Sequence, residues 1–68
     1  MEKVTIRDEF IRLDQFLKFV NEVSSGGEAK IMILEGHVTV NGETAHQRGK
    51  KIRKNDIVEI NGNEYIVE

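Results

Sequence analysis

Two kinds of hydrophobic spacing alternate along the chain and predict the order of its elements. Residues Lys3 to Ile6 alternate polar and β-branched side chains, which predicts a short strand. Apolar residues then recur at the i, i+3, i+4, i+7 spacing of one helical face, and they predict a helix over Leu13 to Asn21. Asp14 suits the first turn of this helix because the helix dipole favours negative charge there. Phe19 falls off the apolar face, so it either covers a strand edge or is partly exposed.

A second helix is predicted after a glycine-containing break. Ser24 to Gly27 interrupt the first helix as a short turn, and the next periodic run predicts a helix from Glu28 to Glu35. Its inward face is expected to contain Ala29, Met32 and Ile33. Gly36 can end this helix in the left-handed conformation, since glycine has no Cβ to clash.

After Gly36 the hydrophobic period changes from helical to alternating. Val38 and Val40 share one face and are followed by Asn41-Gly42, a tight-turn dipeptide, so a strand, a turn and a second strand over Glu43 to His46 are predicted. The arrangement recurs at the end of the chain, where Ile57 or Val58 joins Ile60 on the inward face before Asn61-Gly62, and Tyr65 to Val67 follow. The pattern predicts an α+β fold of two packed N-terminal helices followed by a small, largely antiparallel sheet, with room for an added N-terminal strand.

Length and composition limit the functional classes. Sixty-eight residues allow a single domain, 1–68, with a small core. The chain has no cysteine, so a disulfide framework and a thiolate metal site are excluded and a reducing cytoplasm is the expected setting. No apolar run approaches the roughly 18 residues that span a membrane, and no targeting segment is expected.

The positive charge is concentrated in one segment. Ten Lys and Arg residues stand against twelve Asp and Glu residues, yet the segment from Arg48 to Lys54 contains five basic and no acidic residues. The rest of the chain therefore has a net charge of −7. Such an overall balance argues against coating a polyanion by bulk attraction and leaves a localised anion site, or a solvated face, as the two interpretations.

The sequence does not predict catalysis. No cysteine nucleophile is present, and no serine lies in a catalytic signature. His37 and His46 are nine residues apart, outside the i, i+4 spacing of helical zinc sites, so neither a metal nor a cofactor is predicted. The glycines ahead of the second helix allow two interpretations: they turn the chain, or they leave backbone N–H groups open to an anion such as phosphate, with Lys30 one turn further on.

Several segments together resemble a known family. The segments are "RLDQFL", "SGGEAKIMILEGHVTVNG", a basic run and "NDIVEI", and they span residues 12–60. They resemble the αL RNA-binding domain named after the fourth protein of the small ribosomal subunit, and "EGHVTVNG" is the most specific part. The variant "GGEAK" followed by "RGKKIRKNDIVEI" looks more narrowly like the small stand-alone YaaA/YbcJ-like subfamily.

The resemblance implies a surface for structured RNA, either ribosomal RNA or tRNA, formed by the two helices and the first strand after them. The resemblance matches Arg12, Ser25, Lys30 and Asn41 to contact positions of the family. The charge run and the helix start add the other predicted contacts, which are Gly26, Gly27, Arg48, Lys50, Lys51 and Arg53. The chain departs from the family where Gly26 and Ile31 replace commonly basic residues, so the cluster from Arg48 to Lys54 becomes the main source of positive charge.

The implied role is that of a cytoplasmic monomer acting in translation or in the assembly of ribosomal subunits. The alternative is a protein-binding adaptor that uses the acidic remainder of the chain. A ubiquitin-like sulfur carrier is disfavoured, because the chain ends in Ile66-Val67-Glu68 and not in Gly-Gly.

Overall fold

The computed structural model describes all 68 residues and contains two helices and seven strands. In chain order they are β1 (Glu2–Val4), β2 (Phe10–Arg12), α1 (Leu13–Phe19), α2 (Gly26–Leu34), β3 (Val38–Val40), β4 (Glu43–Thr44), β5 (Lys51–Arg53), β6 (Ile57–Ile60) and β7 (Asn63–Val67). The α+β class is confirmed. The helices do not come first, however, because β1 and β2 both precede them.

Five strands form one sheet in the order β1-β7-β6-β3-β4. All neighbours are antiparallel except β1 and β7, which run parallel with Val4 opposite Val67. The two predicted hairpin turns are confirmed: both asparagines have φ 53°, and the glycines that follow them have φ 84° and 80°. Positive φ at both central residues is the requirement of the turn that matches strand twist. β4 ends at Thr44, two residues before the predicted end.

The remaining two strands, β2 and β5, form a separate antiparallel ribbon that was not predicted. Ile11 lies opposite Ile52, and Ile52 is fully buried. Each strand has only three residues, with exposed side chains on either side of a central isoleucine, and this pattern is too short to identify a strand. The ribbon places Lys51 and Arg53 of the basic segment next to the N-terminus of α1.

The second helix begins earlier than predicted. Ser25 is its N-cap, because the Ser25 hydroxyl accepts a hydrogen bond from the Glu28 N–H at 3.1 Å. Gly26 and Gly27 are therefore its first two helical residues and not a linker ahead of it. At the other end Gly36 has φ 81°, which confirms the left-handed termination.

The core comprises 16 buried apolar residues contributed by both helices, the ribbon and the inner face of the sheet. Of the three residues predicted to face inward from α2, Ala29 and Ile33 are buried and Met32 is half-buried. Val58 and Ile60, rather than Ile57, point inward from β6. Neither helix is long and apolar enough to cross a membrane.

A polar cluster ties the segment after α1 to the terminal hairpin. The Glu22 carboxylate accepts hydrogen bonds from the Tyr65 hydroxyl, from Asn63 at 2.8 Å and from Asn61 at 3.4 Å. Desolvation raises the pKa of Glu22, but these hydrogen bonds outweigh it and the net shift is downward. The hydrogen bond from the Tyr65 hydroxyl to Glu22 is the main cause that raises the pKa of Tyr65 to about 12. The cluster therefore favours a charged Glu22 and a neutral Tyr65 in the folded protein.

Candidate nucleic-acid interface

Six basic side chains lie on neighbouring elements, and we call them together the basic strip. It begins on the ribbon, passes the N-terminus of α1 and ends at α2. Its members are Arg12, Lys30, His46, Arg48, Lys51 and Arg53, all of which are exposed.

The ribbon end of the strip combines cations with an aromatic ring. Arg12 lies opposite Lys51 and Phe10 lies opposite Arg53, so these four side chains share the outward face of the ribbon. The Lys51 Nζ is 4.8 Å from the centre of the Phe10 ring, and the Arg53 guanidinium carbon is 5.9 Å from it. Both distances are typical of cation–π contacts, which hold the two cations close together on the surface.

Backbone hydrogen bonds fix the middle of the strip. The first N–H groups of α1 lack partners within the helix, and those of Leu13 and Asp14 donate to the carbonyls of Lys50 at 2.8 Å and Arg48 at 3.0 Å. Asp14, the one buried charged residue, also accepts a hydrogen bond from the Arg12 guanidinium at 3.0 Å. Gly49 lies beside the same guanidinium, since a Cβ atom placed on Gly49 would be 3.8 Å from it. Helix α1 thus holds Arg12 against the basic segment.

The strip ends in a cavity between α2 and the segment after β4. The cavity has a volume of about 220 Å³ and is lined by Lys30, His46 and Arg48 together with Ile33 and Leu34. No acidic residue lines it. Two permanent cations and an imidazole around an apolar floor form a suitable environment for a phosphate group.

Very little of this positive charge is neutralised within the protein. Arg12 is the only Lys or Arg residue with an ion pair within 4 Å, and the other ion contact joins His37 to Glu35. A face that is merely solvated usually mixes charges of both signs. The strip therefore contains neighbouring like charges without an acidic partner, such as Lys30 and Arg48 at the cavity, and an anionic ligand would relieve their repulsion.

The N-terminus of α2 leaves two predicted contact residues accessible. Gly26 and Gly27 precede Lys30 by four and three residues, so all three lie on one side of the helix. Neither glycine has a positive φ, and a Cβ would meet no atom at Gly26 and only the Ser25 hydroxyl, at 3.9 Å, at Gly27. The backbone angles at both positions are therefore ones that other residues also adopt, and anion binding by the two glycines stays a prediction. Ser25 itself is occupied as the cap of Glu28.

Replacing Gly27 with valine is expected to weaken RNA binding more than it changes stability. The site has space for the side chain, and the change in helix propensity is below about 1 kcal/mol, whereas branched methyl groups would separate the backbone N–H from a phosphate. Thermal melting and RNA titration on one sample measure both effects. Gly27→Ala is the control and should raise the melting temperature slightly. A collapse of stability in the valine variant would instead make the glycine a structural requirement.

Asn41 and Lys50 are also predicted RNA contacts, but both lie outside the basic strip. The Asn41 side chain donates to Asp56 at 3.0 Å and accepts from the Ile57 N–H at 2.9 Å, and Asp56 in turn accepts from the Arg53 N–H at 2.7 Å. Asn41 thus fixes the backbone next to the strip through Asp56. Lys50 lines a neighbouring groove that also contains Glu43. Direct RNA contact by either residue stays a prediction.

We expect Asn41→Ala to lower the free energy of unfolding by about 1–2 kcal/mol more than Asn61→Ala does. Both asparagines have φ 53° in equivalent turns, so the strain of alanine at positive φ is common to the two variants. Their side chains differ, since Asn61 makes one hydrogen bond of 3.4 Å to Glu22 and Asn41 makes two shorter ones. Urea denaturation of the pair measures the difference. Equal losses would mean that the Asn41–Asp56 contact adds nothing to stability.

Two functional candidates were missed by sequence reasoning. No aromatic residue lies within the basic run of the sequence, but pairing of β2 with β5 brings Phe10 beside Lys51 and Arg53. His46 has no sequence signal beyond its distance from His37, yet it lines the cavity with Arg48. The matching patterns of "FIR" and "KIR" were the only local signal for the ribbon. No group of three or more His, Asp or Glu side chains is arranged to hold a metal ion.

The chain is similar to a protein family and to a curated bacterial protein. The family model of the S4 domain matches residues 4–68. The chain is 44% identical over 59 residues to the probable ribosome maturation protein RlbA of Bacillus subtilis (strain 168), a match that covers 87% of this chain and 83% of RlbA.

Two solved structures are also similar. The solution structure of YbcJ from E. coli, described as revealing an αL motif involved in RNA binding, has a TM-score of 0.73 and 29% identity over 98% of this chain and 86% of YbcJ. The crystal structure of the 30S ribosomal protein S4e from Thermoplasma acidophilum has a TM-score of 0.65 and 25% identity. That match covers 88% of this chain but only 32% of S4e.

Proposed function

Because the chain belongs to the S4 domain family, we propose that it is a non-catalytic protein that binds structured RNA and acts in ribosome assembly. Ribosomal RNA is the proposed ligand, with tRNA as the alternative within the same class. The maturation role in the name of RlbA and the RNA-binding motif ascribed to YbcJ support this proposal. The proposed setting is the cytoplasm, where the protein acts as a monomer.

The observation that carries the proposal is the basic strip between the ribbon and α2, in which every Lys and Arg residue except Arg12 lacks an ion pair. Lys and Arg residues contact mainly phosphate oxygens, and those contacts supply most of the affinity for RNA. Lys51 and Arg53 are held at one end by Phe10, and Lys30 and Arg48 meet at the cavity at the other end. A folded RNA presents phosphates along two strands, so a fixed row of cations suits its shape better than a single site does.

The overall charge explains why shape matters. The protein has a net charge of −2, so its long-range field does not attract RNA in every orientation. Productive binding therefore requires that the strip face the phosphates. This favours folded RNA of a definite shape over any flexible polyanion.

A protein-binding adaptor is the second candidate, and exposed apolar residues on α2 support it. Ile31 is 57% exposed and Leu34 is 61% exposed, so both offer apolar surface to a partner. On the outer face of the sheet, Glu59 lies opposite Glu64, which adds an acidic surface for a basic protein. This candidate does not require RNA binding by the purified domain.

Crosslinking in cells followed by sequencing of the attached RNA tests the proposal. We expect the reads to concentrate in ribosomal RNA and to map to a few folded segments. Reads concentrated in tRNA would keep RNA binding but overturn the assembly role. If the protein crosslinks to other proteins but recovers RNA only at background level, the adaptor becomes the favoured function.

A further inference from the structure

An apolar groove adjoins the ribbon end of the basic strip. It has a volume of about 300 Å³ and lies between the segment after β1 and the end of α1. Its apolar wall is formed by Ile6, Ile11, Phe10 and Phe19, and its polar lining by Thr5, Arg7 and Asp8. Phe10 is 36% exposed and Phe19 is 61% exposed, so both rings are accessible.

We infer that this groove binds one unpaired nucleobase of the RNA, an inference that rests on the proposed function. A nucleobase has flat apolar faces and polar edges, which match two accessible rings beside a small polar group of side chains. A paired base inside a duplex does not expose its faces. The ligand is therefore a bulged or loop nucleotide in a folded RNA.

The position of Phe10 connects the groove to the phosphate contacts. The same ring lines the groove and lies within 6 Å of the charged groups of Lys51 and Arg53. One sugar separates a base from its phosphate, so a phosphate held by these cations places its own base next to the groove. An apolar protein side chain would fit the groove but gains nothing from the two cations at its edge. Charge complementarity thus favours a nucleotide.

The polar residues of the groove suit the edge of a base. The Asp8 carboxylate accepts hydrogen bonds and the Arg7 guanidinium donates them, whereas the Thr5 hydroxyl does both. Asp8 would repel a phosphate, so the phosphate is expected on the Lys51 and Arg53 side. The base is expected to enter with its face against the phenylalanine rings.

The test compares two RNAs that differ only in one base. Both are the same hairpin duplex with a single bulged nucleotide, which is adenosine in one and abasic in the other. Stacking on aromatic side chains contributes about 1–3 kcal/mol per base, so the wild-type protein should bind the adenosine bulge about 5- to 150-fold more tightly. Phe19→Ala should reduce this preference while leaving the salt dependence unchanged, because the cation–π contacts of the strip involve Phe10 and not Phe19.

Fluorine NMR locates the contact, because the chain has only three phenylalanines. With fluorinated phenylalanine, the adenosine bulge should shift the signals of Phe10 and Phe19, and the signal of the buried Phe16 should serve as the internal reference. Circular dichroism checks that each variant is folded. Equal binding of the two RNAs by the wild-type protein would overturn the inference and assign the groove to another occupant, such as a protein side chain, while RNA binding stands. Failure to bind either RNA at low salt would overturn the proposed function as well.

Discussion

Reversal of Lys50, Lys51 and Arg53 to glutamate is expected to reduce RNA affinity by about 100-fold or more without unfolding the protein. The three side chains are exposed, and none forms an ion pair that the reversal would break. Glutamate at position 51 would also face Arg12 across the ribbon and replace a repulsion by an attraction. Circular dichroism measures the fold, and fluorescence anisotropy with a labelled rRNA fragment measures the affinity.

The salt dependence makes this prediction more specific. If the wild-type strip neutralises about three to five phosphates, the logarithm of the affinity should fall with the logarithm of salt concentration at a slope of roughly −2 to −4. A single change to alanine within the strip should make the slope shallower by about one unit or less.

A matched pair of double variants separates local from global charge. Lys51→Glu with Arg53→Glu changes the net charge by the same amount as Lys3→Glu with Lys18→Glu. Only the first pair touches the strip, so only the first should lose most of the affinity. Equal losses would show that the field of the whole protein matters more than the strip. If the triple variant binds RNA as tightly as the wild-type protein across the salt series, the basic segment is only a solvated face.

Ile52→Ala is expected to lower the free energy of unfolding by about 2–5 kcal/mol. Ile52 is fully buried and is the residue through which β5 enters the core. A domain of this size has only about 3–5 kcal/mol of stability from its core, so the variant should be largely unfolded at 37 °C. RNA binding should fall with folding, in contrast to the charge reversal, which spares the fold.

Two milder variants control for this change. Ile52→Val removes one methylene and should cost about 0.5–1.5 kcal/mol. Ile57→Ala removes the same atoms as Ile52→Ala, but from the half-buried outer face of β6, and should cost less than it. Urea unfolding followed by far-ultraviolet circular dichroism measures all three. A cost below 1 kcal/mol for Ile52→Ala would mean that the ribbon lies outside the cooperative core.

The sequence was sufficient to predict the elements whose signals are local. Asn41-Gly42 and Asn61-Gly62 specify their turns through backbone angles that few other residues adopt, and Gly36 specifies the end of α2 in the same way. The alternation of Val38 and Val40 likewise identified their buried face. These features depend on residues adjacent in the chain.

The ribbon and the exact start of α2 could not be predicted. The ribbon depends on pairing between strands distant in the sequence, and the start of α2 depends on a side-chain hydrogen bond that caps the helix. Strand β2 exists only through pairing with β5, some 40 positions later. Two glycines are poor helix formers, so the sequence predicts a start of α2 at Glu28, but the hydrogen bond between Ser25 and Glu28 outweighs that preference. The sequence shows the concentration of positive charge, but only the fold shows that Lys30, His46 and Phe10 lie beside it.

The pairing of the first strand with the last affects how the fold is completed. β1 joins the sheet only through β7, across almost the whole chain, and its register continues in the hydrogen bonds between Glu68 and Val4 and between Ile6 and Glu68. A contact of such sequence separation carries a large loop-closure entropy, so β1 should dock late in folding and detach early in local opening. Ile6 belongs to the wall of the groove beside Phe10. Fraying of the first strand would therefore dismantle the groove while the rest of the domain stays folded, and a base bound there would slow amide exchange at Ile6 and Glu68.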